Sequence, residues 1–318
     1  MRITDIKIRN YRGLRDFSIQ LDERSDFLVL AGLNGSGKSS FLEAVLTALG
    51  TPFEMRESLE GQDYRIELKG TEDLLTYEII ATPGKKIKQL PAFNALYFSS
   101  WRAPKRVHGV SLKVGKKGRR PDKEERNALW NLKQWLVSLP SYASYPSGQE
   151  MYNKIARING DVNRMWHDFY PDRDERFVAD IESNGATEMA QLGTGAEPKF
   201  ELYLTRGSDG GRMSVDELSS GEIEILSLFG TLIADKALTD KPLDFVFLDE
   251  PELHLNPVWH RMLVPMLRKY SPGTQVFIAT HSPAIWDSVY STERIFLRDG
   301  LIRQADKSDE RFEEAVHG

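Results

Sequence analysis

Apolar residues recur along this chain with two different periods, and the two periods fall in separate stretches. Over residues 1–31 they alternate or cluster: Ile3, Ile6 and Ile8, then Phe17, Ile19 and Leu21, then the unbroken run Phe27-Leu28-Val29-Leu30. Alternation marks a strand with one buried face, and a short unbroken run between turn residues fits a strand buried on both. Three strands are expected there, then a glycine turn over 32–37 and a helix from about Lys38 to Leu49, stopped by Gly50 and Pro52. More strands are expected near 64–68, at Leu75–Ala81 and at Ala95–Phe98, the last ending at Ser99-Ser100-Trp101-Arg102.

Helical spacing takes over in the middle. Leu129, Trp130, Leu132, Trp135 and Leu136 predict a helix over 123–138. Met151, Ile155, Ile158, Val162, Met165, Trp166 and Phe169 predict another over 149–169. Aromatic stripes at this spacing read as core, and no sustained heptad supports a long coiled-coil arm. From Lys199, Phe200, Leu202 and Leu204 alternate as a strand, turned by Asp209-Gly210-Gly211. A helix then starts at Ser219 or Ser220, with Ile223, Leu226, Phe229 and Ile233 on one face. The apolar runs at 245–248 and 276–279 suit a buried parallel sheet, and 294–297 with Leu301–Arg303 suit a hairpin turned by Asp299-Gly300. The order is that of an α/β protein, with divisions expected at 1–102, 103–190 and 191–318.

Bulk composition narrows the class. With 318 residues, 40% hydrophobic and 28% charged, the chain can bury a sizeable core. No apolar run approaches the roughly 18 residues of a membrane span, and the opening MRITDIKIRNYRG carries no signal-peptide core. No cysteine is present, which excludes disulfides, thiolate metal sites and catalytic thiols. The expected location is the cytoplasm, without a membrane. The net charge of -5 conceals a basic cluster: Arg102, Lys105, Arg106, Lys113, Lys116, Lys117, Arg119, Arg120 and Lys123 against Asp122 alone. A local field of that sign recruits DNA or RNA through Lys105, Arg106, Lys116, Lys117, Arg119 and Arg120, or else is a solvated loop.

Four segments carry chemistry. GLNGSGKSS, residues 32–40, fits Gly-x-x-x-x-Gly-Lys-Ser completely, between a buried strand and a helix. Its glycines let the backbone N–H groups of Asn34, Gly35, Ser36 and Gly37 converge on phosphate, beside Ser40 at the helix start. Lys38 reaches the β- and γ-phosphates, and the Ser39 hydroxyl suits Mg²⁺. Asp249 and Glu250 end a buried strand, so one carboxylate supports Mg²⁺ and the next activates water. Ser219-Ser220-Gly221-Glu222 fits a capping box at a helix start, and equally a helix N-terminus that grips a phosphate. His281 ends the run Phe277-Ile278-Ala279-Thr280, where a histidine serves structure or senses a γ-phosphate.

In this order the segments resemble the ABC-class ATPases: Walker A, signature, Walker B, D-loop, H-loop. Ile8-Arg9-Asn10-Tyr11-Arg12-Gly13 is similar to the opening of the SMC, RecF and OLD branch. DEPELHLNP, residues 249–257, looks most like the OLD-type stand-alone ATPases, many of them in anti-phage defence. The resemblance implies a two-lobed ATPase head with a mixed N-terminal sheet, a helical insertion and a parallel core sheet. It also implies ATP and Mg²⁺ as cofactors, and a head-to-tail homodimer sandwiching two ATPs. By position, Lys38 and Gly35 to Gly37 bind phosphate, Ser39 and Asp249 support the metal, Glu250 is the base and His281 the switch. Ser219, Ser220 and Gly221 act on the partner's ATP, Asn256 lies in the D-loop, and Arg12 is a weaker nucleotide contact. LSSGE replaces the LSGGQ of transporters, and no glutamine follows the Ala95–Phe98 strand. No room for a nuclease domain follows His281, so an effector is expected on a separate chain. The implied function is an ATPase that clamps or senses a macromolecule in defence or DNA maintenance. The alternatives are a transporter motor subunit and a slowly hydrolysing scaffold.

Overall fold

The computed structural model describes residues 1–51, 63–72, 75–84, 93–100, 110–111, 128–143, 149–181, 199–207, 210–239, 243–298 and 301–303. The chain groups into two compact units, one formed by Met1–Trp101 with Lys241–Gly318 and the other by Arg102–Asp240. The LSSGE helix thus belongs with the inserted segment, and the second boundary falls at Asp240 instead of near residue 190.

The first unit opens with β1 (Arg2–Tyr11), β2 (Leu14–Gln20), β3 (Phe27–Gly32), α1 (Lys38–Leu49), β4 (Arg65–Glu72), β5 (Leu75–Ala81) and β6 (Ala95–Phe98). An antiparallel sheet runs in the order β2-β1-β4-β5. Buried Ile3 and Ile6 are three apart, which a strict alternation forbids. An irregularity between Ile3 and Asp5 absorbs the extra residue and returns both side chains to the same face. The strand expected near 64–68 extends to Glu72.

α1 is buried nearly all round, at Phe41, Leu42, Ala44, Val45, Leu46, Ala48 and Leu49. Its apolar residues share one core with Ile6, Ile8 and Phe17 of the antiparallel sheet and with Leu30, Phe247 and Phe277 of the parallel one. A helix hydrophobic on every side is what a position between two sheets requires. Gly50, at φ 65°, ends it, and Thr51 N donates to Leu46 O at 3.1 Å.

The second unit contributes β7 (Val110–Ser111), α2 (Ala128–Ala143), α3 (Gln149–Phe169), β8 (Glu175–Ile181), β9 (Lys199–Arg206), β10 (Arg212–Ser214) and α4 (Ser220–Leu238). β7, β8 and β10 all pair antiparallel with β9. α2 runs past the expected end at 138 and through Pro140. Trp166 is fully buried, stacked edge-on to Phe177, and Phe169 meets Phe229 of α4 at 5.2 Å. The Lys133 ammonium on α2, fully buried, donates to Asp216 at 2.9 Å and lies 2.7 Å from Glu201 of β9. A buried charge persists only where such partners compensate its lost hydration. Asp216 stands three residues before Ser219, so this cluster ties the approach to α4 to the helices and the sheet.

The chain then returns to the first unit with β11 (Phe245–Asp249), α5 (Pro257–Tyr270), β12 (Gln275–Thr280), α6 (Pro283–Asp287), β13 (Arg294–Arg298) and β14 (Leu301–Arg303). The second sheet has the order β14-β13-β3-β12-β11-β6. β6, β11, β12, β3 and β13 run parallel, and β14 closes it antiparallel. β3, β11 and β12 are buried along their whole length, as sheets covered on both faces require. Among the described residues no helix is long and apolar enough to cross a membrane.

Candidate nucleotide site

Parallel pairing decides where the chemistry collects. β3, β12 and β11 are consecutive neighbours, with Ala31 opposite Thr280 and Ala279 opposite Asp249. The loop after β3, the carboxylates after β11 and the histidine after β12 therefore leave the sheet at one edge. Ligands of open α/β sheets bind at that carboxyl edge.

The glycine loop has little steric slack. A Cβ on Gly32 would stand 2.2 Å from Leu297 O and 2.7 Å from Ser36 Oγ, so only glycine fits there. Gly37 turns the chain into α1 at φ 101°, a conformation that side chains resist. Ser36 Oγ is buried without a hydrogen-bond partner. Lys38 Nζ donates to Gly32 O at 2.9 Å and to Leu33 O at 3.0 Å. Burial lowers its pKa to about 8, against the pull of Glu250, Glu252 and Asp249.

Asp249 is fully buried, and both its oxygens are engaged. Ser39 Oγ donates to Oδ1 at 2.8 Å and Ser100 Oγ to Oδ2 at 3.2 Å. The first bond joins the phosphate loop to the acidic strand. The second was not foreseen from the sequence. Phe98 pairs with Leu248, so Ser100, two residues on, arrives beside Asp249. Hydroxyl and carboxylate oxygens are hard donors of the kind Mg²⁺ takes, and Mg²⁺ is commonly held by one or two carboxylates plus substrate phosphates. Among the described residues no group of three or more His, Asp or Glu forms a protein-only cage. The donor set thus fits a metal that arrives with a nucleotide.

Glu250 adopts φ 52°, uncommon for a side-chain-bearing residue, and its N–H donates to Ala279 O at 2.8 Å. Backbone held in sparse regions costs on the order of 1–3 kcal/mol and clusters at functional sites. His281 Nε2 lies 3.7 Å from Glu250 Oε1. Burial, then nearby Lys38, lowers the histidine's pKa, with Asp249 opposing. The balance favours the neutral imidazole over the imidazolium. Glu252, which the sequence reading left without a role, accepts the Thr280 hydroxyl at 2.8 Å and the His281 backbone N–H. Burial raises its pKa, offset by those bonds and reinforced by Glu250.

Three other expected residues have defined surroundings. Arg12 pairs with Glu43, fully buried in α1, and the Tyr11 hydroxyl lies 3.0 Å from Thr47 Oγ1. Asn256 caps α5 by accepting the Val258 N–H. Ser219 caps α4: its Oγ accepts the Glu222 N–H, and the Glu222 carboxylate accepts the Ser219 N–H at 2.9 Å. The capping box is present. Arg173 donates to Glu222 at 2.7 Å. Burial pushes Glu222 up, but the bonds from Arg173 and Ser219 carry it below the usual carboxylate range. Arg102, Lys105, Arg106, Lys116, Lys117, Arg119 and Arg120 lie outside the described residues, as do Asp299 and Gly300.

The fold and the nucleotide edge define a P-loop ATPase with an AAA-type domain. Residues 27–287 match the family described as "AAA domain, putative AbiEii toxin, Type IV TA system", and the chain belongs to that family. Residues 1–51 also match an "AAA ATPase domain". The "Retron Ec83 probable ATPase" of Escherichia coli is 33% identical over 30% of this chain and 19% of its own length. The "Retron Vc95 probable ATPase" of Vibrio cholerae is 23% identical, over 38% and 24% respectively. The "DNA replication and repair protein RecF" of Acholeplasma laidlawii is 33% identical, over 26% and 25%. The chain thus spans a quarter or less of each of these relatives. Among solved structures, the SMC head bound to the C-winged helix domain of ScpA aligns over 99% of this chain and 100% of its own, with TM-score 0.58 and 13% identity. The SMC head domain from Thermotoga maritima aligns over 96% and 100%, with TM-score 0.53 and 14% identity. At those identities the likeness is one of fold.

Proposed function

We propose that this chain binds ATP with Mg²⁺ at the edge formed by β3, β11 and β12, and hydrolyses it at composite sites of a head-to-tail dimer. The observation that carries the reading is the Ser39–Asp249 hydrogen bond at 2.8 Å beside Lys38. It brings the loop's metal-binding hydroxyl onto the strand carboxylate, the pairing that P-loop ATPases use. Ser39 and Asp249, with Ser100 on the far carboxylate oxygen, would hold Mg²⁺, which when bound would supply charge neutralisation at the β- and γ-phosphates. The backbone of Asn34 to Gly37 and the start of α1 receive the phosphates, and Lys38 exchanges its carbonyl partners for them. Glu250 takes a proton from the water that attacks the γ-phosphorus. The bond to the bridging oxygen breaks as the new P–O bond forms, and ADP leaves. Neutral His281 donates a hydrogen bond toward the γ-phosphate.

The second half of each site comes from the partner subunit. Ser219, Ser220 and Gly221 at the start of α4 act on the other copy's phosphate, and Asn256 belongs to the D-loop that touches the partner's site, so closure follows ATP. Retron ATPase and RecF relatives support a role in anti-phage defence or DNA maintenance, with dimer closure transmitted to an effector or nucleic acid. Mixing two defective variants tests the shared site. Ser219→Arg protein leaves its own phosphate loop intact, and Lys38→Ala protein leaves its signature intact. The mixture should regain turnover through one complete site per heterodimer. Turnover no greater than the sum of the separate variants would exclude a shared site.

A further inference from the structure

We infer that Glu252 is a positioning residue that sets the His281 imidazole against Glu250; this rests on the nucleotide-site reading above. Glu252 sits in the turn after β11, while His281 follows β12, so the two belong to different strands of the parallel sheet. The carboxylate spans that gap. One oxygen accepts the backbone N–H of His281 and the other accepts the hydroxyl of Thr280 at 2.8 Å. Thr280 Oγ1 also accepts the Ser282 N–H at 2.9 Å. Three successive residues, 280 to 282, are therefore tied to one side chain from the acidic turn.

The far side of the same loop is held as well. Ser282 Oγ lies 2.9 Å from His260 Nδ1 and accepts the Ile285 N–H, while His260 Nε2 lies 3.3 Å from Leu255 O. A proton on Nε2 satisfies both ends: Nε2 donates to the carbonyl, and Nδ1 accepts the serine hydroxyl. The His281 backbone is thus held between the acidic turn and α5, with its imidazole Nε2 3.7 Å from Glu250 Oε1. A histidine that must meet a γ-phosphate within hydrogen-bond reach depends on such a support, since small misplacements cost large factors in rate.

The chemistry separates geometry from charge. Glutamine at this position keeps a carbonyl oxygen for the His281 N–H and can donate its amide to Thr280 Oγ1. Alanine keeps neither bond. Glu252→Ala should lower kcat by about tenfold or more with the KM for ATP within about twofold, and Glu252→Gln should retain most of the wild-type kcat. In a double-mutant cycle, Glu252→Ala with His281→Ala should be no slower than His281→Ala alone, because both remove one function. Independent, additive losses would overturn the inference, as would a Gln variant as slow as Ala, which would mean that the charge matters and not the hydrogen bonds. If Glu252→Ala does not fold, Thr280→Val in the Glu252→Gln background removes the hydroxyl end of the tie. That variant should show the same kcat loss and the same non-additivity with His281→Ala. Should Lys38→Ala also hydrolyse ATP at the wild-type rate, the nucleotide-site reading itself fails. If Lys38→Ala and His281→Ala are slow but Glu252→Ala is not, only this inference fails.

Discussion

At the scale of single residues, Glu250 concentrates the cost and the use of the site. It holds a backbone conformation that side chains rarely adopt, fixed by a bond to the neighbouring strand, with its carboxylate at the edge where phosphate would lie. Glu250→Gln preserves side-chain volume and removes the proposed base. It should keep ATP binding, measured with a fluorescent nucleotide, while slowing turnover by roughly 10²-fold or more. Turnover at the wild-type rate would assign water activation to another group. Asp249, Glu250, Lys38 and Ser39 were legible as candidates because each stands inside a local motif, the phosphate-loop pattern or the acidic strand end. Ser100 and Glu252 were not. Each meets its partner across the parallel sheet, at separations of 149 and 28 residues, and no local pattern encodes a contact of that kind.

Among the elements, β1 and β2 could be read from their alternation, β3, β11 and β12 from apolar runs buried throughout, and α1 from its place between the glycine loop and Gly50. α5 could not. Its apolar set is short, Leu263, Val264, Met266 and Leu267, and Pro265 sits inside it. Its first residues, Pro257 and Val258, are exposed, and Pro257 also closes the acidic motif. β8 was missed for a similar reason, since Phe177 is deeply buried while Val178, beside it, is 43% exposed, which leaves a weak apolar signal. α4 shows an element tuned by charge. The Arg173–Glu222 bond helps to hold the Glu222 carboxyl below its ordinary value. A depressed carboxyl stabilises the fold above the unfolded carboxylate pKa, and that contribution disappears as pH falls through the folded value. Arg173→Met should therefore cost up to about 1 kcal/mol near pH 7, since the guanidinium is partly exposed, with a smaller deficit near pH 4. Urea unfolding at the two pH values measures it. A deficit that grows in acid would contradict the assigned pair.

For the whole molecule, the net charge of -5 says little about what it binds, because one stretch, residues 102–123, is locally strongly basic. If that stretch meets nucleic acid, Lys116, Lys117, Arg119 and Arg120 changed together to Glu should abolish DNA or RNA binding. The wild type should show binding that falls steeply with salt, with each neutralised phosphate contributing about 0.9 to the log–log slope on duplex DNA. Filter binding across a salt series reads both quantities. Unchanged affinity in the variant would make the stretch a solvated loop and direct attention to a protein effector.

The Lys38 ammonium donates to the loop's own carbonyls at Gly32 and Leu33, so its hydrogen bonds close within the loop itself. A visiting molecule must offer that cation something better than what it already holds. A nucleoside without phosphates cannot, so adenine and ribose alone gain almost nothing there. A triphosphate can, because it brings charge to a cation that burial has left poorly compensated. The lock is therefore set against neutral visitors before any base-specific contact is made.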